Sequence, residues 1–525
     1  MTIASCTLRR LTAVVAGAAA VSVALSGCLY AQIPAEDSGS ESAAPTTGAE
    51  PATDGVPEEL LPFYDQQLEW GSCGDGFQCT TVTAPLDWEN PEAGEIDLAV
   101  VRQPALSGQA QGSLLTNPGG PGGSGVSFIL DSVDYAVGQA LQESFDVVGW
   151  DPRGVGESTA VRCFDAAEMD AFLYDIPEAE RGTEEWEAEL EARAEGFADA
   201  CEANSDGILE FITTEQSSRD LDLLRGVLGE TELDYLGYSY GTFLGATYAK
   251  NFPGRVGRLV LDGAIDPSTS GEDVGVTQAV GFEAALRTYM QACLDGGTGE
   301  GCPFTGTVDD AMGDLAALLA AVDANPLRSS QDDRLLGADS LMTGVIAALY
   351  NEANWPYLTE ALAGALEGDS SIAFLLADSY NGREGGEYVD NSTEAFNAYN
   401  CMDYPAESEQ AIEETEQRIA EEAPTIAPYW TGASVCEYWP YEPTGVREEI
   451  AAEGAPPILV IGTTGDPATP YEWAEALADQ LASGVLLTYE GEGHTAYNGA
   501  STCVDEAVEA FFTDEIVPED GLVCS

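Results

Sequence analysis

Histidine and lysine are nearly missing from this chain. Its 525 residues hold one histidine, His494, and one lysine, Lys250; arginine brings Lys+Arg to 18, against 92 Asp+Glu and a formal net charge of −74. So negative a balance repels phosphate backbones and anionic membrane surfaces, which argues against nucleic-acid binding. A single imidazole and the lack of any C-x-x-C pair argue against a zinc site. The glycine-rich stretch 117–125 lacks the lysine of G-x-x-x-x-G-K-[ST], so it does not read as a phosphate loop. Long apolar runs are scarce as well: Leu11–Leu25 is too short for a comfortable membrane span.

That stretch, preceded by Arg9 and Arg10 and free of acids, reads instead as a signal peptide over 1–27. It ends in Leu25-Ser26-Gly27-Cys28, which resembles a bacterial lipobox, so Cys28 is the candidate lipidation site and would anchor the chain at the outer face of the cytoplasmic membrane. Residues 28–62 are rich in Ala, Pro, Ser, Thr, Gly and Glu and read as a flexible tether. Of the twelve cysteines, Cys6 leaves with the signal and Cys28 with the lipid. The other ten form an even set in an exported chain, a disulfide framework of up to five bridges. Spacing does not fix connectivity; the expectation is neighbour pairing, 73–79, 163–201, 293–302, 401–436 and 503–524.

Between about 95 and 265, strand-like runs (Ile96–Arg102, Ser113–Thr116, Phe145–Trp150, Leu233–Tyr238, Arg258–Leu261) alternate with helical patterns at 124–142, 216–229 and 240–250. Ser217 and Ser218 are possible caps of the second helix. Strands separated by helices predict a parallel sheet with crossover helices. The pattern returns with strands at Pro457–Gly462 and Gly484–Tyr489 and helices at 471–482 and 502–513. Between them the stripe Met312, Leu315, Leu318, Leu319, Val322 and the runs 341–366 and 407–421 have helical spacing. The expected order is a sheet domain over 63–270, a helical insertion over 271–450, and the rest of the sheet domain over 451–525.

Gly237-Tyr238-Ser239-Tyr240-Gly241 fits G-x-S-x-G between a strand and a helix, the setting of a nucleophile elbow. A serine hydroxyl needs a base, and the base an orienting carboxylate. His494 follows the strand at 484–489, and Asp466 follows the strand at 457–462. Ser239, Asp466 and His494 are therefore the candidate catalytic residues, in the chain order of α/β-hydrolases. Asn117–Gly125, after a strand and before a helix, suits an oxyanion loop, with Gly119 or Gly120 giving one donor and the Tyr240 amide the other.

With these motifs in place, the chain resembles the secreted bacterial tripeptidyl aminopeptidases, a branch of the α/β-hydrolase fold related to proline iminopeptidases. The residues that carry the resemblance are Asn117–Gly125, Trp150-Asp151-Pro152-Arg153-Gly154-Val155-Gly156-Glu157-Ser158, Gly237–Gly241 with Phe252-Pro253, Asp466–Pro470 and Gly493-His494. It spans about 75 to 510 and includes the insertion, which resembles the family's lid. The H-G-G-P-G loop of proline iminopeptidases reads Pro118-Gly119-Gly120-Pro121-Gly122 here, without the histidine, as in the tripeptidyl branch. The resemblance implies an α/β-hydrolase fold with a mostly parallel sheet and a helical lid, releasing short peptides, tripeptides above all, from free N-termini. Such an enzyme must bind an ammonium, for which the lid carboxylates Glu352 and Asp403 are candidates. Thr469, three residues beyond Asp466, joins the substrate-binding candidates as a residue that steadies the acid loop.

The reading is an extracytoplasmic serine exopeptidase, acting through an acyl-enzyme with no cofactor and no metal, on peptides with a free N-terminus. A carboxylesterase or lipase on the same scaffold is the first alternative, and a non-catalytic surface binding lipoprotein the second. Oligomeric state stays open.

Overall fold

A computed structural model describes residues 46–525 apart from 300, 406, 407 and 431. The signal peptide, Cys28 and the tether up to 45 lie outside the described residues. Eleven strands among the described residues form one sheet: β1 (Thr46–Thr47), β2 (Glu69–Ser72), β3 (Gln78–Pro85), β4 (Glu95–Gln103), β5 (Ser113–Asn117), β6 (Asp146–Trp150), β7 (Leu233–Tyr238), β8 (Val256–Asp262), β9 (Ile458–Gly465), β10 (Gly484–Glu492) and β11 (Leu522–Cys524). Their spatial order is β1-β2-β3-β4-β6-β5-β7-β8-β9-β10-β11. The first four strands and the β4–β6 pair are antiparallel, and from β6 to β11 every pair is parallel. This is the α/β-hydrolase sheet.

The central strands are buried from end to end: β5 and β7 expose no residue. Continuous apolar runs are what a sheet covered on both faces demands. Two apolar clusters cover them, one centred on Leu115, Tyr235 and Leu261, the other on Leu114, Leu236 and Val260.

The chain also holds structure that periodicity does not announce. The segment from 46 to 62, read above as tether, lies on the sheet domain: Gly48 N–H donates to Leu68 O and Ala52 N–H to Gly226 O. Main-chain bonds hold its first part and Val56 and Leu60 pack on the core, too few apolar residues for composition to reveal it. The helix Thr214–Val227 is capped by Thr213, whose hydroxyl accepts the Gln216 N–H, and not by Ser217 or Ser218, both buried within it.

In the region 271–450 the helices are Gly271–Leu294, Val308–Ala324, Ala338–Leu349, Trp355–Glu367, Ser371–Tyr380, Ser392–Asp403 and Glu409–Glu422. Pro356 opens Trp355–Glu367, so the run 341–366 is two helices rather than one. Most of them share a third apolar cluster around Phe282, Leu315, Leu319, Val345 and Leu362. Ser392–Asp403 differs: Ala395, Ala398, Tyr399 and Met402 belong to the cluster of the sheet.

All five expected disulfides are present, Cys73–Cys79, Cys163–Cys201, Cys293–Cys302, Cys401–Cys436 and Cys503–Cys524. They fit an oxidising, extracytoplasmic setting. No helix among the described residues is long and apolar enough to cross a membrane.

Candidate active site

Ser239 stands between β7 and the helix Tyr240–Asn251 with φ 54° and ψ −123°, outside the regions an L-residue prefers. Such strain persists only where the surroundings dictate it, and the two motif glycines show how. A β-carbon at Gly237 would lie 2.5 Å from Gly241 O, and one at Gly241 2.8 Å from Asn117 Oδ1. The turn is therefore too tight for any side chain at either position. It leaves Ser239 part-exposed while its neighbours Tyr238 and Tyr240 are buried.

Asp466 follows β9 as expected and is buried. Its carboxylate accepts the amides of Ala468 (2.9 Å) and Thr469 (2.8 Å) and the Thr469 hydroxyl (2.9 Å). His494 Nδ1 lies 3.0 and 2.9 Å from its two oxygens. A carboxylate at that distance requires the proton on Nδ1, which leaves Nε2 free as a base. Burial works against the imidazolium, but the charge and hydrogen bond of Asp466 and the charge of Asp262 outweigh it and hold the His494 pKa above its usual value.

The glycine-rich loop reaches the elbow. A β-carbon at Gly119 would sit 2.8 Å from Ser239 Cβ and 3.2 Å from the Tyr240 nitrogen. Yet the Gly119 amide is taken, donating to Asn117 Oδ1 at 3.0 Å, which leaves Gly120 as the better donor of the two expected. Asp151 fixes the far end of the loop: its buried carboxylate accepts the Ser124 hydroxyl (2.6 Å) and the Val126 amide (3.0 Å).

The remaining candidates separate. Thr469, expected among the substrate contacts, is buried against Asp466, with its hydroxyl 3.2 Å from His494 Nδ1. Asp403 is also buried, and its oxygens accept the Thr214 amide (2.9 and 3.3 Å) and hydroxyl (2.7 Å). Asp403 ties Ser392–Asp403 to the start of the helix Thr214–Val227, a structural task in place of an open ammonium contact. Glu352 is exposed. It lies near enough to Glu492 that its charge, after burial, raises the Glu492 pKa.

Two residues escaped the sequence reading. Tyr350, closing Ala338–Leu349, accepts the His494 amide on its carbonyl at 2.8 Å and sets its ring edge-on to the imidazole, with centroids 5.4 Å apart. Asp262, at the end of β8, accepts the amides of Ala496 (3.1 and 3.0 Å) and Tyr497 (2.8 Å). A tyrosine after an apolar helix and one acid among 92 carry no signal that spacing can isolate.

A nucleophile elbow, a carboxylate-bound imidazole and a glycine loop gathered at the ends of parallel strands mark a serine hydrolase of the α/β type. Residues 112–299 match the alpha/beta hydrolase fold and residues 422–524 the TAP-like protein family. Over 485 residues the chain is 34% identical to serine protease Hip1 of Mycobacterium tuberculosis, covering 88% of this chain and 92% of that protein. It is 36% identical over 480 residues to carboxylesterase B of the same organism, covering 88% and 91% of the two chains. Over 466 residues it is 29% identical to the tripeptidyl aminopeptidase of Streptomyces lividans, covering 85% and 84%. The chain belongs to the TAP-like branch of the α/β-hydrolase family.

Proposed function

We propose that this protein is an extracytoplasmic serine exopeptidase that removes short peptides, tripeptides above all, from free N-termini. The observation that carries the reading is the imidazole of His494 held by Asp466. The relatives named as a serine protease and a tripeptidyl aminopeptidase support peptides as the substrate class. Ser239 attacks the scissile carbonyl while His494 Nε2 takes its proton. Asp466 keeps the ring in the right tautomer and offsets the charge that forms. The Gly120 and Tyr240 amides receive the developing oxyanion, a contribution of about 3–4 kcal/mol per donor in enzymes of this kind. His494 then protonates the leaving amine, and water clears the acyl-enzyme. Glu352 is the remaining candidate among the lid carboxylates for the substrate ammonium, since Asp403 is already bonded inside the protein. A lipid on Cys28 would keep the enzyme at the membrane surface.

The relative named carboxylesterase B favours a second reading, an esterase on the same scaffold. Turnover of an N-terminally free tripeptide anilide, its blocked form and a short acyl ester separates the two. Preference for the free tripeptide supports the exopeptidase; indifference to blocking, or strong preference for the ester, rejects it.

A further inference from the structure

Asp262 ends β8, in register with Tyr238 of β7 on one side and Ile461 of β9 on the other. Those two strands deliver Ser239 and Asp466. The Asp262 carbonyl accepts the Ser239 amide at 2.9 Å, and its carboxylate holds the amides of Ala496 and Tyr497, just beyond His494. The next residue, Gly263, donates to Ile461 O at 3.1 Å with φ +68°, and a β-carbon there would lie 3.1 Å from His494 Cε1. One buried dipeptide thus touches all three loops.

Two amides can be accepted by a neutral side chain, and burying a carboxylate is costly unless a cation compensates it. The cation that acts on Asp262 is His494 itself when protonated. We propose that Asp262 is a positioning residue: its main chain fixes the nucleophile, its side chain fixes the loop bearing the base, and its charge stands behind the imidazole. This rests on the Ser239–His494–Asp466 reading above. The titratable groups that face the pair are Asp466 and the Tyr350 ring on the His494 side, and Tyr238 and Tyr135 on the Asp262 side. Burial pushes Asp262 up to about 6 against the bonds from Tyr497 and Ala496. Near neutral pH it is therefore ionised and helps to hold His494 above its usual value.

Because His494 is the only histidine of the chain, one ring signal in an imidazole-labelled NMR titration reports its protonation without ambiguity. The test compares the full wild-type chain with Asp262→Asn, nearly isosteric but neutral. The expected result is a His494 titration, and an acid limb of kcat/KM, shifted to lower pH by about half a unit or more. At pH 7, kcat should fall about tenfold with KM little changed. A titration and a kcat both indistinguishable from wild type overturn the proposal. Asp262→Ser, smaller and also neutral, is the second variant; failure of both to fold would assign Asp262 to the fold alone and equally overturn it. Asp466→Asn in parallel keeps the two readings apart. If that variant retains wild-type turnover, the triad has failed; if it is inactive while Asp262→Asn behaves as wild type, only the present inference has.

Discussion

The sheet domain and the helical insertion are built by the same rule, apolar faces pressed together, yet they differ in what they do with charge. In the sheet domain, carboxylates are drawn inside and committed: Asp151, Asp262 and Asp466 at strand ends and Asp220 within the helix Thr214–Val227 are all buried with hydrogen-bond partners. In the insertion Asp403, Glu283 and Glu394 are buried, the first two bonding Thr214 and Thr425, and the arginines form part-exposed pairs such as Arg334–Asp378 and Arg383–Asp170, the second of them with the sheet domain. Parallel strands expose their C-terminal ends as one crevice, so loops distant in sequence meet there. The insertion touches that crevice through Tyr350, whose carbonyl and ring both meet His494, and through the Gln278 side-chain amide, which donates to the Ala468 carbonyl. The candidate chemical groups lie at the strand ends, and the insertion packs beside them.

The comparison breaks outright if the serine can be dispensed with. Ser239→Ala should lower kcat/KM by about four to six orders of magnitude and abolish stoichiometric labelling by a fluorophosphonate, with an unchanged unfolding transition. Folded wild-type protein that takes no label would instead favour a binding lipoprotein.

A smaller effect tests the support behind the base. Thr469 Oγ1 donates to Asp466 and lies beside His494 Nδ1; Thr469→Val keeps the volume and deletes the donor. We expect kcat to fall about tenfold with KM steady. The pH profile carries the sign. The base must be neutral, and Asp466 with Asp262 overcomes burial to raise the His494 pKa. Activity should therefore be lost on acidification through a midpoint above 6.5, the ordinary value of the group. A midpoint below 6.5 would mean that burial wins at this site.

How far the sequence announced these two regions also differs. Strands β5 to β10 were legible because buried parallel strands are short continuous apolar runs bounded by turn residues. Ser239, His494 and Asp466 were legible because strand-to-helix turns have distinctive residues and imidazoles are so scarce here. β2, β3 and the residues from 46 onward were not, since the antiparallel strands near the sheet's end alternate weakly and main-chain bonds leave no trace in composition. Asp403 misled for a related reason. A buried carboxylate that ties two helices together and one that awaits an ammonium have the same local sequence, and only the Thr214 contact tells them apart.

The clamp between the regions should matter less than either site residue. Arg383, in the insertion, grips Asp170 of the helix Ala166–Tyr174 with two bonds of 2.6 and 2.8 Å, and the Tyr388 hydroxyl joins at 2.8 Å. Arg383→Ala frees one attachment of the insertion but leaves the Tyr350–His494 contact. Turnover of the tripeptide anilide should drop a few-fold, mainly through KM, while the short ester, which needs less of the lid, stays within twofold. Equal losses on both substrates would show that the insertion shapes the strand-end chemistry itself.

The smallest effect is expected at Arg287, which pairs with Asp309 between two insertion helices where their side chains are 45% and 81% exposed. Its buried counterpart, Arg153–Asp220 at 2.7 Å, is fully enclosed; breaking a pair of that kind typically costs about 3–5 kcal/mol, because it strands a charge without water. At Arg287 water and counterions replace the lost partner at once, so Arg287→Ala should change the unfolding free energy by less than about 0.5 kcal/mol. Urea titrations of the two proteins in low and high salt measure this directly. If Arg287→Ala lowers stability by more than about 1 kcal/mol in low salt and the loss fades as salt is added, then the insertion depends on surface pairs to hold together under so large a negative charge. The division between a sheet domain that encloses its charges and an insertion held together by its apolar cluster alone would then have to be redrawn.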